Sequence, residues 1–515
     1  MFNKEIDELN YVLKFTEAYQ SEEDIYLREA KCLKLQSVSI LVPLEADDLI
    51  AGRMCHHYAG FSPQFGGLYT YFFHDDKVRK ALDAAKSELT DEHINKIEKV
   101  LAFWNKEKTI RRVEERFHGM GCFIYDSYQK PGIGNADVRI AGTNVDLDKL
   151  IRLGLPGLYE EIGKKAKADP GNTFYEALRI TVGTIADACR YYEEQALAMA
   201  NESNRFSELA LVLKNIQVRK PESFWEGLQL MWIYSMISDL MNYGRMDVYL
   251  GDLYGKDLDS GRITEEEAIK LLSSLYRHML KIHKIHDTRI VIGGRGRRNE
   301  KNADRLALVI MEVSRRVKEV VPQLTMRYYS GMKEALYDKA LQVNAEGCTF
   351  PIIYSDDTNI PAVMKVYDVS EKEAERYLPF GCGEYVLEGL SVGTPNNGIN
   401  LLKCLEVTLH NGYDRYWNMQ IGEKTGTSGQ LDTFEKLWNA YACQLKPIVE
   451  KAAIMKKLNY DVAAEQAGYL HISLLMDDCI ARGKGILNGG VRYLNAASEI
   501  FGIISAADSF TAVNK

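Results

Sequence analysis

Cys382 and Glu384 are the residues whose type and spacing point most directly to chemistry. Cys382 lies between Gly381 and Gly383, and Glu384 follows two residues later. Flanking glycines allow a tight turn and a close approach of backbone to a substrate. A carboxylate beside a thiol can donate or accept a proton, and general acid–base help of this kind contributes roughly 10²–10⁴ in rate. The loop is therefore a candidate reaction centre built on sulfur.

Other readings of the same residues remain open from the motif alone. Most free cysteines are small buried hydrophobes, so a structural role competes with a chemical one. A nucleophilic thiolate would need a histidine partner, for which His410 on the following helix is a candidate. The histidines at 56–57, 283 and 286 form no HExxH pattern and no Cys/His cluster, so no metal site is expected. The segment 293–298 resembles neither a phosphate-binding loop nor a dinucleotide fingerprint.

Composition excludes several function classes. The chain of 515 residues carries a net charge of −8, whereas nucleic-acid partners usually require a basic surface. Its nine cysteines are an odd number without a CxxC pair, and no signal sequence opens the chain. These features indicate free thiols and a cytoplasmic location. No apolar run reaches the roughly 18 residues that a membrane span needs.

The elements that must position the cysteine alternate between helices and strands. We expect helix over the first 40 residues, from about 76 to 104, from 173 to 200 and after Pro221 and Thr264. Strands are expected at 289–294, 322–329 and 350–355, with a short helix at 372–377 leading into Pro379 and the cysteine. This alternation over several hundred residues, without an internal repeat or linker, favours one α/β barrel-like body spanning 1–515 with a helical N-terminal part to about residue 170.

Several stretches of the sequence match one known family in the same order, and together they are more specific than the cysteine motif alone. The chain resembles the glycyl radical enzyme family, the relatives of pyruvate formate-lyase and the radical diol dehydratases. The matching stretches are FYEALRITV, RYYEEQALAMA, PESFWEGLQLMW, GRMDVYLGDLYGKDLDSGRITEEEA, RIVIGG, QLTMRYY, GCTFPIIYSDD, the Gly-Cys-Gly-Glu loop, NLLKCLEVTLHNG and NGGVRYLNAASEIFGIISAADSFTAVNK.

The resemblance implies a ten-stranded barrel of two five-stranded halves, surrounded by helices, with the cysteine on a finger loop at its centre. It implies that a glycyl radical takes the hydrogen atom of Cys382, and that the resulting thiyl radical abstracts hydrogen from a substrate. Glu384 then deprotonates a substrate hydroxyl or assists the leaving group. Pyruvate formate-lyase uses two adjacent cysteines, so the single cysteine here argues against that activity.

The resemblance also implies a set of substrate-binding residues. Thr143 stands where relatives often have a histidine. Asp356 and Asp357 stand in place of an Asn-Asp-Glu pattern, and a structural hydrogen-bonding role for these two residues is as well supported as substrate binding. The predicted substrate-binding residues are Thr143, Asn242, Tyr243, Asp356, Thr394, Asn396 and Asn397.

No glycine in the last 30 residues has the Arg-Val-x-Gly-Tyr context of a radical glycine. We therefore expect a split enzyme, in which a small second chain carries the glycyl radical and a radical-SAM activase installs it, so that this chain binds no cofactor. A truncated fragment and a catalytically silent binding relative are the alternatives. The expected reaction is radical elimination from a small polar substrate, preferably dehydration, with C–N or C–S lysis or arylacetate-type decarboxylation as alternatives. A homo-oligomer and an anaerobic setting are also expected.

Overall fold

The computed structural model describes residues 4–62, 70–119, 132–136, 140–282, 288–381, 383–393 and 397–514. The helices are α1 (Lys4–Gln20), α2 (Ile25–Ser39), α3 (Asp75–Ala85), α4 (Asp91–Glu107), α5 (Thr109–Gly119), α6 (Leu147–Ala168), α7 (Thr173–Ala198), α8 (Asn204–Val218), α9 (Phe224–Ile237), α10 (Met246–Tyr249), α11 (Gly251–Asp259), α12 (Glu265–Lys281), α13 (Glu300–Val317), α14 (Glu334–Ala345), α15 (Asp356–Tyr367), α16 (Glu371–Ala374), α17 (Leu401–Leu409), α18 (Phe434–Gln466), α19 (Leu470–Leu474), α20 (Cys479–Arg482) and α21 (Ile503–Asn514).

The strands are short and form several separate sheets. They are β1 (Leu41–Val42), β2 (Arg53–Met54), β3 (Ala59–Phe61), β4 (Tyr71–Phe73), β5 (Gly134–Ala136), β6 (Asn242–Arg245), β7 (Arg289–Gly293), β8 (Gln323–Tyr328), β9 (Ile352–Ser355), β10 (Tyr377–Phe380), β11 (Glu384–Leu387), β12 (Asn397–Asn400), β13 (Tyr413–Asp414), β14 (Met419–Gln420) and β15 (Ser498–Phe501).

Helix boundaries in the N-terminal part follow capping residues. The first 40 residues form two helices, because the Asp24 side chain accepts the Tyr26 and Leu27 backbone N–H groups and begins α2. The helix expected from 76 to 104 is likewise two, with Thr90 capping α4. The predicted helix at 173–200 and the Thr264 capping box are confirmed in α7 and α12. None of the described helices has the length and apolar character needed to cross a membrane.

The largest sheet among the described residues is parallel, with strand order β6-β7-β8-β9. The α/β class is thus confirmed. Beside this sheet, β10 and β11 form an antiparallel hairpin, and β12 lies between β15 and β5. Strand β10 includes Tyr377, which the sequence had assigned to a short helix that instead ends at Ala374.

The two faces of the parallel sheet differ in chemistry. Ile290, Ile292, Leu324 and Met326 belong to the main apolar core that the helices complete. The alternate residues point the other way, and the register aligns Arg289 with Gln323, Val291 with Thr325, and Gly293 with Arg327. We call this second face the inner surface. Its members are Asn242, Arg245, Arg289, Val291, Gln323, Thr325, Arg327 and Tyr354.

Candidate active site at the cysteine hairpin

Gly381 and Gly383 lie at the tip of a β-hairpin. Strands β10 and β11 pair antiparallel, with Phe380 opposite Glu384, and the Gly383 N–H donates to the Phe380 carbonyl at 2.9 Å. Gly381 and Gly383 have φ angles of 51° and 124°, a region that favours glycine. The glycines predicted to permit a tight turn therefore do so. Cys382 itself lies outside the described residues, between these two glycines.

The hairpin tip is anchored to the parallel sheet by Arg289. The Nη2 atom of Arg289 donates to the Gly381 carbonyl oxygen at 2.7 Å. The same guanidinium donates to Thr325 Oγ1 at 2.6 Å and to Gln323 Oε1 at 2.8 Å. A buried side chain on the inner surface therefore fixes the backbone next to the cysteine.

A buried ion pair anchors the base of the hairpin. Arg327 donates to both carboxylate oxygens of Asp356, and its Nη1 atom donates to the carbonyl oxygens of Glu375 and Tyr377 at 2.9 Å each. The Tyr377 hydroxyl donates to Asp356 at 2.6 Å. Burial alone would raise the pKa of Asp356, but the Arg327 charge and these hydrogen bonds outweigh it and lower that pKa below its ordinary value.

Tyr354 and Glu384 are both neighbours of Gly383, the first through space and the second along the chain. A Cβ atom added at Gly383 would lie 3.2 Å from the Tyr354 hydroxyl oxygen. Glu384 begins β11 and is partly buried. A phenol and a carboxylate are therefore carried by two neighbours of Gly383, and both groups can exchange a proton with a small polar substrate.

The segment 140–144 packs behind the hairpin. A Cβ at Gly142 would overlap the Phe380 ring, so glycine permits the close approach. The buried Thr143 hydroxyl accepts from the Gly393 N–H at 3.0 Å. Thr143 thus braces the start of the segment that leads to Thr394, and its predicted contact with substrate stays a prediction.

Asn242 and Tyr243 point to opposite faces of β6. Asn242 lies on the inner surface, is 1% exposed, and donates to the Ala141 carbonyl at 2.6 Å. Tyr243 belongs to the main apolar core, behind the sheet. The geometry favours a substrate-facing position for Asn242 and not for Tyr243, because neighbouring strand residues alternate between faces.

The other predicted residues divide into two groups. Asp356 is fully buried and its two oxygens accept from Arg327, Tyr377 and the Arg295 N–H, which supports the structural reading. Its neighbour Asp357 binds Arg295 and Ser330 near the surface. Thr394 and Asn396 lie outside the described residues, and Asn397 begins β12.

Sequence reasoning missed Arg289 and Arg327. Both stand in strands that were predicted, at positions that alternate with apolar residues. A charged residue inside a β-branched run was the available signal, since such a charge must face something other than the apolar core.

Comparison with known proteins decides the family. The pyruvate formate lyase-like family matches residues 3–515. The chain belongs to this family. It is 25% identical to a probable dehydratase of Escherichia coli K12, YbiW, over 97% of this chain and 67% of that protein. It is 23% identical to trans-4-hydroxy-L-proline dehydratase of Clostridioides difficile, over 97% and 68% of the two chains.

Solved structures of other proteins have the same fold as this chain. A structure described for 1,2-propanediol dehydration in Roseburia inulinivorans matches with a TM-score of 0.82 and 20% identity, over 99% of this chain and 68% of that one. The glycerol-bound B12-independent glycerol dehydratase of Clostridium butyricum matches with a TM-score of 0.80 and 21% identity, over 99% and 70%. The glycyl radical enzyme fold is therefore confirmed. The chain spans about two thirds of the length of these relatives.

Proposed function

We propose that this chain is the core of a glycyl radical lyase that dehydrates a small polar substrate through a thiyl radical on Cys382. The observation that carries the proposal is the hairpin, in which Gly381 and Gly383 have positive φ and Arg289 of the inner surface binds the Gly381 carbonyl. Glu384 begins the second strand of this hairpin. The names of the relatives support the reaction class, since two of them are dehydratases.

The residues of this chain divide the work as follows. The Cys382 sulfur takes a hydrogen atom from a substrate carbon, so that an S–H bond forms as a C–H bond breaks. Glu384 accepts the proton of the hydroxyl on that carbon and returns it to the neighbouring hydroxyl, which leaves as water when its C–O bond breaks. Cys382 then gives its hydrogen atom back to the product carbon.

The test compares cysteines in the activated enzyme. Cys382→Ser should abolish turnover, because a serine O–H bond does not form the radical. Cys443→Ser is the matched control, since Cys443 is exposed on α18. Glu384→Gln should lower turnover about 10²–10⁴-fold. Turnover that survives in Cys382→Ser would refute the thiyl mechanism.

We further propose that a partner chain carries the glycyl radical and that a radical-SAM activase installs it there. The support is an apolar surface along β15 and α21. Ile500, Phe501, Ile503 and Ile504 are 52%, 51%, 51% and 72% exposed. Strand β15 pairs only with β12 among the described strands, which leaves an edge that can pair with another chain.

This partnership is tested by mixing the chain with a separate glycyl-radical polypeptide from a relative and its activase, under anaerobic conditions. A glycyl radical signal in electron paramagnetic resonance and product formation that requires both chains are expected. Ile504→Asp should weaken association, whereas Val366→Asp, at a similarly exposed position on α15, should not. Equal effects of the two variants, or no association, would contradict the proposal.

A further inference from the structure

The charge of Arg289 has no acidic partner among the described residues. Its guanidinium is buried, at 2% exposure, and its three hydrogen bonds go to Thr325, Gln323 and the Gly381 carbonyl, all of them neutral acceptors. Arg327, on the next strand, is by contrast paired with Asp356. A buried charge is costly unless an opposite charge accompanies it. The inner surface thus carries an excess positive charge next to the hairpin tip.

Three buried polar atoms on this surface also have no hydrogen-bond partner within the described part of the chain. They are Nε of Arg289, Nε of Arg245 and Oδ1 of Asn242. Arg289 and Asn242 are Cα partners in the β6–β7 register and so point to the same face. A buried polar atom left without a partner is costly. Nε of Arg289 is a donor and Oδ1 of Asn242 is an acceptor, so a ligand with an anionic oxygen and a hydroxyl would satisfy both.

We propose that Arg289 is a specificity-determining residue, which selects substrates carrying an oxyanion, either a carboxylate or a sulfonate, beside the hydroxyl group that reacts. The proposal rests on the proposed function for placing the substrate at the cysteine hairpin. Selection itself needs no radical, because it follows from the charge of Arg289 and its position beside Gly381.

Binding of small probes to the unactivated chain tests this selection. Each anionic probe is paired with a neutral compound of similar size: glycerate with glycerol for the carboxylate, and isethionate with ethane-1,2-diol for the sulfonate. Titration calorimetry should show the anion binding at least about tenfold more tightly in one pair or both, and the pair that does so identifies the oxyanion. Equal binding within both pairs, or no binding of either anion at millimolar concentration, would overturn the proposal.

Variants at residue 289 test whether the positive charge of this side chain causes the preference for anions. Arg289→Gln should remove the preference for the anion, and Arg289→Lys should retain it because the charge remains. Arg295→Gln is the control, since Arg295 is a partly exposed arginine paired with Asp357. A preference that persists in Arg289→Gln would overturn the proposal. If that variant does not fold, loss of anion binding in the wild-type chain on raising the salt concentration is the expected result, and salt-independent binding contradicts the proposal.

Cys382→Ser distinguishes failure of this inference from failure of the proposed function. This variant should bind the anion as the wild-type chain does while losing turnover. Turnover of a neutral diol by the activated wild-type enzyme, without anion preference, would support the lyase and refute the role of Arg289.

Discussion

Arg327 and Asp356 form a bidentate ion pair, with Nε 2.8 Å from Oδ1 and Nη2 2.9 Å from Oδ2. Both side chains are fully buried. Because Arg327 also binds the Tyr377 carbonyl and Tyr377 binds Asp356, the pair joins strands β8 and β10. The position of the hairpin therefore depends on a pair of charges that are costly to separate.

Removing the Asp356 charge should be strongly destabilising. Asp356→Asn leaves Arg327 buried without its partner, and we expect the free energy of unfolding to fall by about 3–5 kcal/mol. Asp357→Asn is the adjacent control, because the Asp357–Arg295 pair is partly exposed and should contribute no more than about 1 kcal/mol. Denaturant titration of both variants measures the difference. Similar losses in the two would show that the buried pair has no special role.

A methyl group at Gly383 should impair turnover more than folding. Gly383→Ala strains a φ of 124° and places a Cβ 3.2 Å from the Tyr354 hydroxyl. Gly331→Ala strains a φ of 95° at a position with no atom within 4 Å. We expect both to lose about 1–2 kcal/mol of stability, but only Gly383→Ala to lower kcat. Recovery of activity in Gly383→Ala with Tyr354→Phe would identify the hydroxyl contact as the cause.

Glu388 should make stability depend on pH. Burial, reinforced by the Asp146 carboxylate, raises the pKa of Glu388 to about 7 from an ordinary 4.5. The native state therefore holds this proton more tightly than the unfolded state. Its contribution to stability is complete below about pH 4.5 and is lost as pH rises through about 7, a change of about 3 kcal/mol.

Glu388→Gln should reduce that dependence. The difference in the free energy of unfolding between pH 5 and pH 8 is expected to shrink in this variant. Glu92→Gln is the control, because Glu92 is an exposed residue on α4. An unchanged pH profile in Glu388→Gln would mean that another group dominates, for which Glu29 is a candidate, since burial raises its pKa to about 8.

The variant Thr143→Val distinguishes a structural role of the Thr143 hydroxyl, its hydrogen bond with Gly393, from direct contact with the substrate. The variant removes the hydroxyl that accepts from the Gly393 N–H, and a loss of about 1 kcal/mol in stability is expected. Thr181→Val, inside α7, removes a buried hydroxyl of similar type and is the control. If Thr143 only braces the backbone, kcat falls while KM is unchanged. A raised KM with unchanged kcat would favour the predicted substrate contact.

The sequence predicted elements well where local signals were strong. The β-branched run at 289–294, the capping box at Thr264 and the long apolar pattern of α7 each depend on neighbouring residues, and the structure has all three. The resemblance placed the cysteine loop in the correct family fold. The breaks at Asp24 and Thr90 were missed because a capping side chain inside a periodic pattern gives only a weak signal.

The surroundings of the cysteine were harder to predict. That Arg289 touches Gly381 depends on strand register and on residues 92 positions apart, which no local pattern records. The same holds for Asp356, whose partners Arg327 and Tyr377 are 29 and 21 positions away. The opposite directions of Asn242 and Tyr243 follow from alternation, but which face meets the hairpin appears only in three dimensions.

The chemical contrast between the two faces of the parallel sheet also protects its alignment during folding. If β8 slipped by one residue, Thr325 and Arg327 would enter the apolar core, while Leu324 and Met326 would face the hairpin. A buried guanidinium among aliphatic side chains would oppose this slip by several kcal/mol. The polar inner surface therefore also favours the correct register of strand pairing. Substitutions that make this surface more apolar are expected to misalign the sheet as well as to lower activity.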